Sequence, residues 1–506
     1  MYIILPILVL WSFGLGLVPL LDWDEANFAE VAREMLTTGE WSFVRIGYEP
    51  FWEKPPLFFW LQTLSFKLFG VTEWAARFPN IIVAFLTLWV LYLIGKKRNP
   101  KFGLILVLTY AVSFLPQFYF KTGLIDPLFN LFIFSSFMLW NHFELTSHKT
   151  ALVFSAILMS LAILTKGPTA LLVCGSTLLI IWVIERKKSW SWSRPFVFGV
   201  FSLLSIVPYL IWMKHQGTLN QDRVASDFMS YLMRLFSTAD AGHSGFPLFH
   251  VVVLAFGCMP ASLYLYSGWK VSDSFSLRLK VLLVTIVVIF GMVQTKIIHY
   301  SSLAYFPLTY LAALGIEKQL SFKKEFHYLS QVAWLAFLAV LFFIPVIFSN
   351  ESLMILIRDA DLMESMRSAH SINPIKSLTS WSVMIFVLLV WVMLFSVKKI
   401  NQRPIYLALS GVVTLQFWLV FVVPDIAQIA QGSLISFYKR AAKEKVNIQP
   451  LGFKSYASYF YSEFDPKRGA PVYAVSRARD QDWAMKNHPI QTLERTGGWV
   501  LYRMLK

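Results

Sequence analysis

Charge is scarce in this 506-residue chain. Asp, Glu, Lys and Arg make up only 15% of it, where a water-soluble fold carries about a quarter. That scarcity excludes a cytosolic enzyme and a disordered protein. Cysteine is almost missing: Cys174 and Cys258 each sit inside an apolar run, which excludes a secreted disulfide scaffold, and no CxxC or zinc-type spacing occurs. There is no glycine-rich phosphate loop, no tandem repeat and no low-complexity run. What is present instead is 57% hydrophobic residues, with 45 Phe, 19 Trp and 20 Tyr. Most of such a chain is solvated by lipid.

A helix needs roughly 20 apolar residues to cross the hydrocarbon core. The pattern predicts thirteen spans, near 2–21, 77–95, 102–120, 124–141, 151–165, 168–184, 196–213, 248–268, 279–295, 302–316, 328–348, 379–396 and 404–423. The fifth and sixth are short and broken by Lys166-Gly167-Pro168, so they read equally as one re-entrant pair. Residues 1–21 have no basic leader and no cleavage pattern, and read as an uncleaved first span.

The net charge of +16 is largely a topological signal. Alternate loops hold Lys96, Lys97, Arg98, Lys101, Lys149, Arg186, Lys187, Lys188, Arg194, Lys270, Arg278, Lys280, Lys318, Lys323, Lys324, Lys398, Lys399 and Arg403 against five acids. Positive-inside orientation places these loops and the N-terminus in the cytoplasm of a bacterial inner membrane. It leaves no basic face for a nucleic acid. The outer segments 22–76, 214–247 and 349–378 are too long to be simple connectors, so elaboration sits outside. Residues 1–423 then form a transmembrane unit. Residues 424–506 form a small periplasmic α/β domain, with helix-like stretches at 434–445 and 455–462 and strand-like ones at 447–453, 471–476 and 498–504.

The first outer loop carries the densest chemistry. Phe28, Val31, Met35 and Leu36 recur at helical spacing and Gly39 stops the pattern, which predicts an amphipathic helix at the outer interface. Asp22 and Glu25 have capping-box spacing. Asp22, Asp24 and Glu25 together exceed what a cap requires, and ionisable groups at the membrane edge are functional candidates. Further on, Pro55-Pro56 leads into a second interfacial helix at 57–69. Glu53-Lys54 just before it reads either as a structural ion pair or as an anion site with an orienting carboxylate. Asp126-Pro127 reads either as a helix start or as a second functional acid. Lys166, Lys296 and His299 lie where span ends are commonly anchored.

These residues carry a family resemblance. Asp24-Glu25 with Ala29-Glu30, the Glu34-Met35 to Gly39-Glu40-Trp41 stretch and Tyr48 through Trp60 resemble the first outer loop of the lipid A aminoarabinose transferase and of related bacterial protein-mannosyltransferase-like enzymes of the GT-C fold. The likeness continues at Phe69-Gly70-Val71, Ala75-Ala76-Arg77-Phe78-Pro79, Asp126-Pro127, Leu164 to Pro168, Gly242-His243 and Thr295-Lys296 to His299-Tyr300. It spans roughly residues 1–320.

The resemblance implies a mostly α, GT-C-type membrane glycosyltransferase. Such enzymes take a sugar from a polyprenyl-phosphate donor and pass it, usually with inversion, to a lipid, glycan or protein acceptor. It implies Asp24, Asp126 and Glu25 as the acids of the reaction, and Lys54, His243, Tyr300 and Lys296 around the donor phosphate. It also implies a divalent metal, zinc or magnesium, between Glu53 and His243. One departure stands out: where the family often has Arg-Tyr, this chain has Asn27-Phe28, so a cation suited to a phosphorylated acceptor is missing. The competing reading is a secondary transporter or lipid flippase. Ionisable residues gathered at one face, and halves without hydropathy symmetry, weigh against it.

Overall fold

The computed structural model describes residues 3–22, 24–189, 193–217, 245–319 and 403–505, with isolated positions between 230 and 391. Parts of the expected spans 328–348 and 379–396, most of the outer segments 214–247 and 349–378, and His243 lie outside the described residues.

Helices dominate. In chain order the first ten are α1 (Ile4–Ser12), α2 (Asp24–Thr38), α3 (Leu57–Phe69), α4 (Glu73–Lys96), α5 (Pro100–Val112), α6 (Phe114–Phe120), α7 (Asp126–Thr146), α8 (Lys149–Lys166), α9 (Thr169–Ser189) and α10 (Ser193–Gly217). Their starts are chemically marked. The Thr72 hydroxyl accepts from the Ala75 N–H to open α4, and the Asn99 side chain accepts from the Phe102 N–H ahead of α5, with Pro100 at its first position.

Among the described residues, five helices are long and apolar enough to cross a membrane, and seven if each of two bent pairs counts as one span. The exposed side chains of α10 explain what surrounds them: Phe196, Leu203, Leu204 and Ile211 all point outward. A large apolar face of this kind belongs in lipid, and the chain is a multi-pass membrane protein.

Several spans are less regular than the hydropathy pattern suggests. The stretch 102–120 bends by 75° between α5 and α6, and 248–268 bends by 102° between Phe249–Gly257 and Ala261–Trp269. The first expected span, 2–21, yields only α1, followed by turns through Gly14, which has φ +73°. Unwound backbone inside a membrane needs replacement partners. Arg77 supplies them: its guanidinium donates to the carbonyls of Leu15 (2.6 Å), Val18 (2.7 Å) and Pro19 (3.0 Å).

Residues 24–69 fold as two helices around a hairpin. Strands β1 (Arg45–Ile46) and β2 (Glu49–Pro50) pair antiparallel across Gly47-Tyr48. Both turn residues have φ of 64°, the conformation that a two-residue hairpin turn requires. The Gly47 position is also tight, because a Cβ there would come within 2.8 Å of the Tyr459 ring.

Helix α3 matches its expected range and leaves Leu64 and Leu68 exposed. Helix α2 differs from expectation. It is amphipathic by sequence, yet every residue from Glu25 to Met35 is buried. The reason is that its polar side is covered by the C-terminal region, with Arg33 donating to the Phe464 carbonyl at 3.0 Å.

The C-terminal region forms a four-stranded sheet in the order β3-β4-β6-β5, from β3 (Ile448–Leu451), β4 (Tyr473–Arg477), β5 (Ile490–Thr496) and β6 (Trp499–Met504). The pairing β3–β4 is parallel and the others antiparallel. Strand β5 is absent from the sequence reading because most of its side chains are exposed and no alternation marks it. The helix expected at 434–445 runs instead over Val423–Lys443, directly after Arg403–Phe421.

Candidate active site

Six of the residues singled out by sequence lie close together, five of them on four elements and the sixth on a loop. Asp24 opens α2, Asp126 opens α7, Lys166 closes α8, and His299 and Tyr300 sit on a short 3-10 turn, Ile298–Ala304. Lys54 comes from the loop before α3. Each is placed by local chemistry.

Asn80, buried on α4, donates to the carbonyls of Thr122 (2.6 Å) and Leu124 (2.8 Å). This fixes the loop that delivers Asp126. Gly123 sits where a Cβ would crowd Ala76 O and the Gln62 side chain. Lys166 ends its helix because Gly167 follows with φ +90°. The turn carrying His299 is pinned by Ser302, whose hydroxyl donates to His299 O and accepts from Asn130 Nδ2 at 2.7 Å.

The Asp126 carboxylate is buried and accepts a hydrogen bond from Lys166 Nζ at 2.6 Å. Asp126 is the first residue of α7, one position past the capping residue Ile125; the helix-start reading therefore misses its partner. Lys166 Nζ also lies 5.3 Å over the Tyr300 ring and 5.9 Å over Phe129. His299 Nε2 stands 3.6 Å from an Asp24 oxygen and 3.9 Å from an Asp126 oxygen. Lys54 is buried, and its charge acts on both Asp126 and His299. Burial lowers the His299 pKa below its usual value; Lys166 and Lys54 add to that, and together they outweigh the opposing pull of Asp126 and Asp24. The imidazole is therefore neutral at neutral pH. Asp24 is the open member, with its side chain 40% exposed.

Two of the expected site residues are committed elsewhere. Glu25 is a structural acid. Arg77 grips its two oxygens at 2.8 Å each, while the backbone N–H groups of Leu21 (2.9 Å) and Gly123 donate to the same carboxylate. Burial raises its pKa, but Arg77 and these donors outweigh it and hold the carboxyl below its usual range. Such a saturated carboxylate has no lone pair left for a reaction.

Lys296 caps a helix end. Its ammonium donates to the carbonyls of Phe290 (3.3 Å), Gly291 (2.6 Å) and Val293 (2.5 Å). These are orphan acceptors at the end of the Ser274–Met292 helix.

Asp22 also departs from the capping-box reading. Its Oδ1 accepts from the N–H groups of Tyr456 (2.8 Å) and Ala457 (2.9 Å), capping the helix Ala457–Ser462 in the C-terminal region. The Leu20 N–H donates to Tyr461 Oη at 2.7 Å nearby. A further acidic group lies along α2. Arg33 pairs with Glu30 through contacts of 2.7 and 2.6 Å, and Glu34 accepts from the Tyr48 N–H at 3.0 Å. Burial, then the neighbouring Glu30, push Glu34 up to about 8.

Glu53 is half-buried, and its charge acts on Tyr456. Its expected metal partner, His243, lies outside the described residues. Among the described residues no three His, Cys, Asp or Glu side chains are grouped as a metal ion would need. Sequence reasoning placed Lys166 and His299 at span ends and missed their part in the cluster. The signal available was that both interrupt or border otherwise apolar stretches opposite Asp126.

Comparison with known proteins bears out the family resemblance. A family model described as dolichyl-phosphate-mannose-protein mannosyltransferase matches residues 53–212. The chain is 25% identical over 245 residues to an undecaprenyl phosphate-alpha-4-amino-4-deoxy-L-arabinose arabinosyl transferase of Proteus mirabilis, covering 47% of this chain and 43% of that protein. It is 27% identical over 244 residues to the Edwardsiella ictaluri transferase of the same description, covering 47% and 44%. The matched segment thus spans less than half the length of these curated relatives. The crystal structure of ArnT from Cupriavidus metallidurans bound to undecaprenyl phosphate has a TM-score of 0.76 at 15% identity, covering 99% of this chain and 97% of that one. The apo form of that protein gives 0.71 at 16% identity, with the same coverage. The fold is therefore shared along the whole chain.

Proposed function

We propose that this chain is a membrane glycosyltransferase moving a sugar from a polyprenyl-phosphate carrier, of the undecaprenyl-phosphate type, to a hydroxyl of a lipid, glycan or protein acceptor. The transfer takes place at the periplasmic face of a bacterial inner membrane and inverts the sugar's anomeric configuration. On this reading about thirteen spans cross the membrane, the N-terminus is cytoplasmic, and residues 424–506 form a periplasmic domain on a transmembrane unit of residues 1–423.

The observation that carries the proposal is the meeting of Asp24, Asp126, Lys166 and Lys54 around the His299 imidazole. An anionic leaving group needs fixed cations, and a hydroxyl acceptor needs an accessible base. The cluster offers both.

In the transfer step the acceptor oxygen attacks the anomeric carbon. The bond to the carrier phosphate breaks with its electron pair on the phosphate oxygen, so the phosphate goes from one negative charge toward two. Lys54 and Tyr300 face that developing charge and stabilise the transition state more than the ground state. Asp24, the exposed carboxylate, takes the hydroxyl proton. Asp126, neutralised by Lys166, orients the sugar. A neutral hydroxyl rather than a phosphate acceptor suits Asn27-Phe28, which supply no cation. Glu53 and His243 would hold a divalent ion, zinc or magnesium, that adds positive charge near the carrier phosphate.

The test is a radiolabelled polyprenyl-phosphate-sugar assay on purified protein against candidate acceptors. Asp24→Asn and Lys54→Ala each abolish transfer while inserting into membranes normally, and chelation lowers the wild-type rate. Wild-type rates in both variants overturn the assignment, and indifference to chelator removes the metal.

A further inference from the structure

The imidazole of His299 faces two carboxylates on different elements and is committed to neither. Its Nε2 is 3.6 Å from Asp24 and 3.9 Å from Asp126, both beyond an ordinary hydrogen bond. The ring itself is held. It is buried edge-on against Tyr119 (centroids 6.4 Å apart) and Tyr300 (5.4 Å). Its backbone carbonyl accepts from Ser302, and the next hydroxyl on the turn, Ser301 Oγ, lies 3.1 Å from His250 Nδ1. A side chain fixed so firmly between two acids sets where those acids stand.

We infer that His299 is a positioning residue of the transfer site, holding Asp24 and Asp126 apart and leaving Asp24 free to accept a proton only while the imidazole is uncharged. This deepens the glycosyltransferase reading and rests on it. Uncharged, the ring presents Nε2 to two carboxylates without forming an ion pair, and neither acid is trapped. Protonated, it becomes a cation beside the nearer acid, Asp24, and an ion pair there withdraws the base from the acceptor hydroxyl.

Every charged neighbour enters that balance. Asp24 comes from α2, Asp126 from α7, Lys166 from α8, Lys54 from the first outer loop, and His250 from the helix Phe249–Gly257. The phenols of Tyr119 and Tyr300 close the sides. Two lysines and burial oppose protonation and two carboxylates favour it. The balance holds its pKa below the usual imidazole value.

The experiment is a pH–rate profile of sugar transfer for the wild type, His299→Gln and His299→Phe, with donor KM measured for each. The wild type loses kcat as pH falls. His299→Gln keeps an N–H donor without a titrating group, so its plateau kcat stays within about tenfold of wild type while its acid limb moves to lower pH. His299→Phe removes the donor and loses kcat by about 10²-fold or more at every pH, the scale of a general-base contribution, with donor KM unchanged.

An acid limb in His299→Gln that coincides with the wild type overturns the inference, as does wild-type kcat in His299→Phe. A wild type that transfers no sugar from any polyprenyl-phosphate donor sinks the transferase reading instead, so the two failures are distinct.

Discussion

The ammonium of Lys166 lies 2.6 Å from the carboxylate of Asp126, joining the last residue of α8 to the first residue of α7. Both groups are largely out of water, so neither charge is stable alone. Removing one partner of a buried pair typically costs about 3–5 kcal/mol, whereas replacing both with neutral groups of similar volume costs far less. Lys166→Met is therefore expected to lower thermal stability sharply. Adding Asp126→Asn restores most of the melting temperature but not the sugar-transfer rate. Thermal unfolding of the purified single and double variants, run beside the transfer assay, separates the two effects.

Lys296 gives the opposite expectation from a phosphate ligand. Its ammonium satisfies three carbonyls at the end of the Ser274–Met292 helix. Lys296→Met leaves those acceptors unpaired, at a cost of about 1–3 kcal/mol. The donor KM of that variant is expected to match wild type, while its melting temperature falls. A large rise in KM with unchanged stability would return Lys296 to the donor site.

Asp22 ties the first outer loop to the C-terminal region through the N–H groups of Tyr456 and Ala457. Asp22→Ala removes a helix cap worth about 1 kcal/mol. Limited proteolysis is expected to cut near residue 456 faster in this variant than in wild type. Asp22→Asn, which keeps the acceptor oxygen, is expected to behave like wild type.

Glu34 gives a pH dependence of known sign. Burial and the nearby Glu30 raise its carboxyl to about 8 in the folded protein, above its usual value. Between the ordinary carboxylate range and about pH 8 the folded state thus binds more protons than the unfolded one, and stability falls as pH rises through that window. Glu34→Gln removes the titration and keeps an acceptor for the Tyr48 N–H. Its melting temperature is expected to equal wild type near pH 5 and to exceed it above pH 8. Equal melting temperatures at both ends would refute the shift.

What the sequence disclosed follows from the physics of each signal. Hydropathy identifies a membrane chain, and Pro55-Pro56 before an apolar run marks α3 at Leu57–Phe69. The acids Asp24 and Asp126 were recognisable because isolated carboxylates beside apolar stretches are costly. Glu25 and Lys296 looked the same in sequence as Asp24 and Lys54, since the pattern of one segment does not reveal Arg77 or a distant helix end. Lys166 and His299 were undervalued for the converse reason: a charged residue at a span end has the same local sequence whether it faces headgroups or another acid. The bends near Ser113 and Met259 escaped hydropathy, which averages over a break as short as one residue.

The Asp22 link also bears on how the chain is made. Ribosomes release residue 22 hundreds of residues before residue 456, so the helix Ala457–Ser462 finds its acceptor waiting at the membrane edge. Leu20 and Arg33 likewise await partners made much later, 441 and 431 residues further along. Residues 456–464 are synthesised after residues 20–33, so the contacts that cover α2 form only once that later segment has been made.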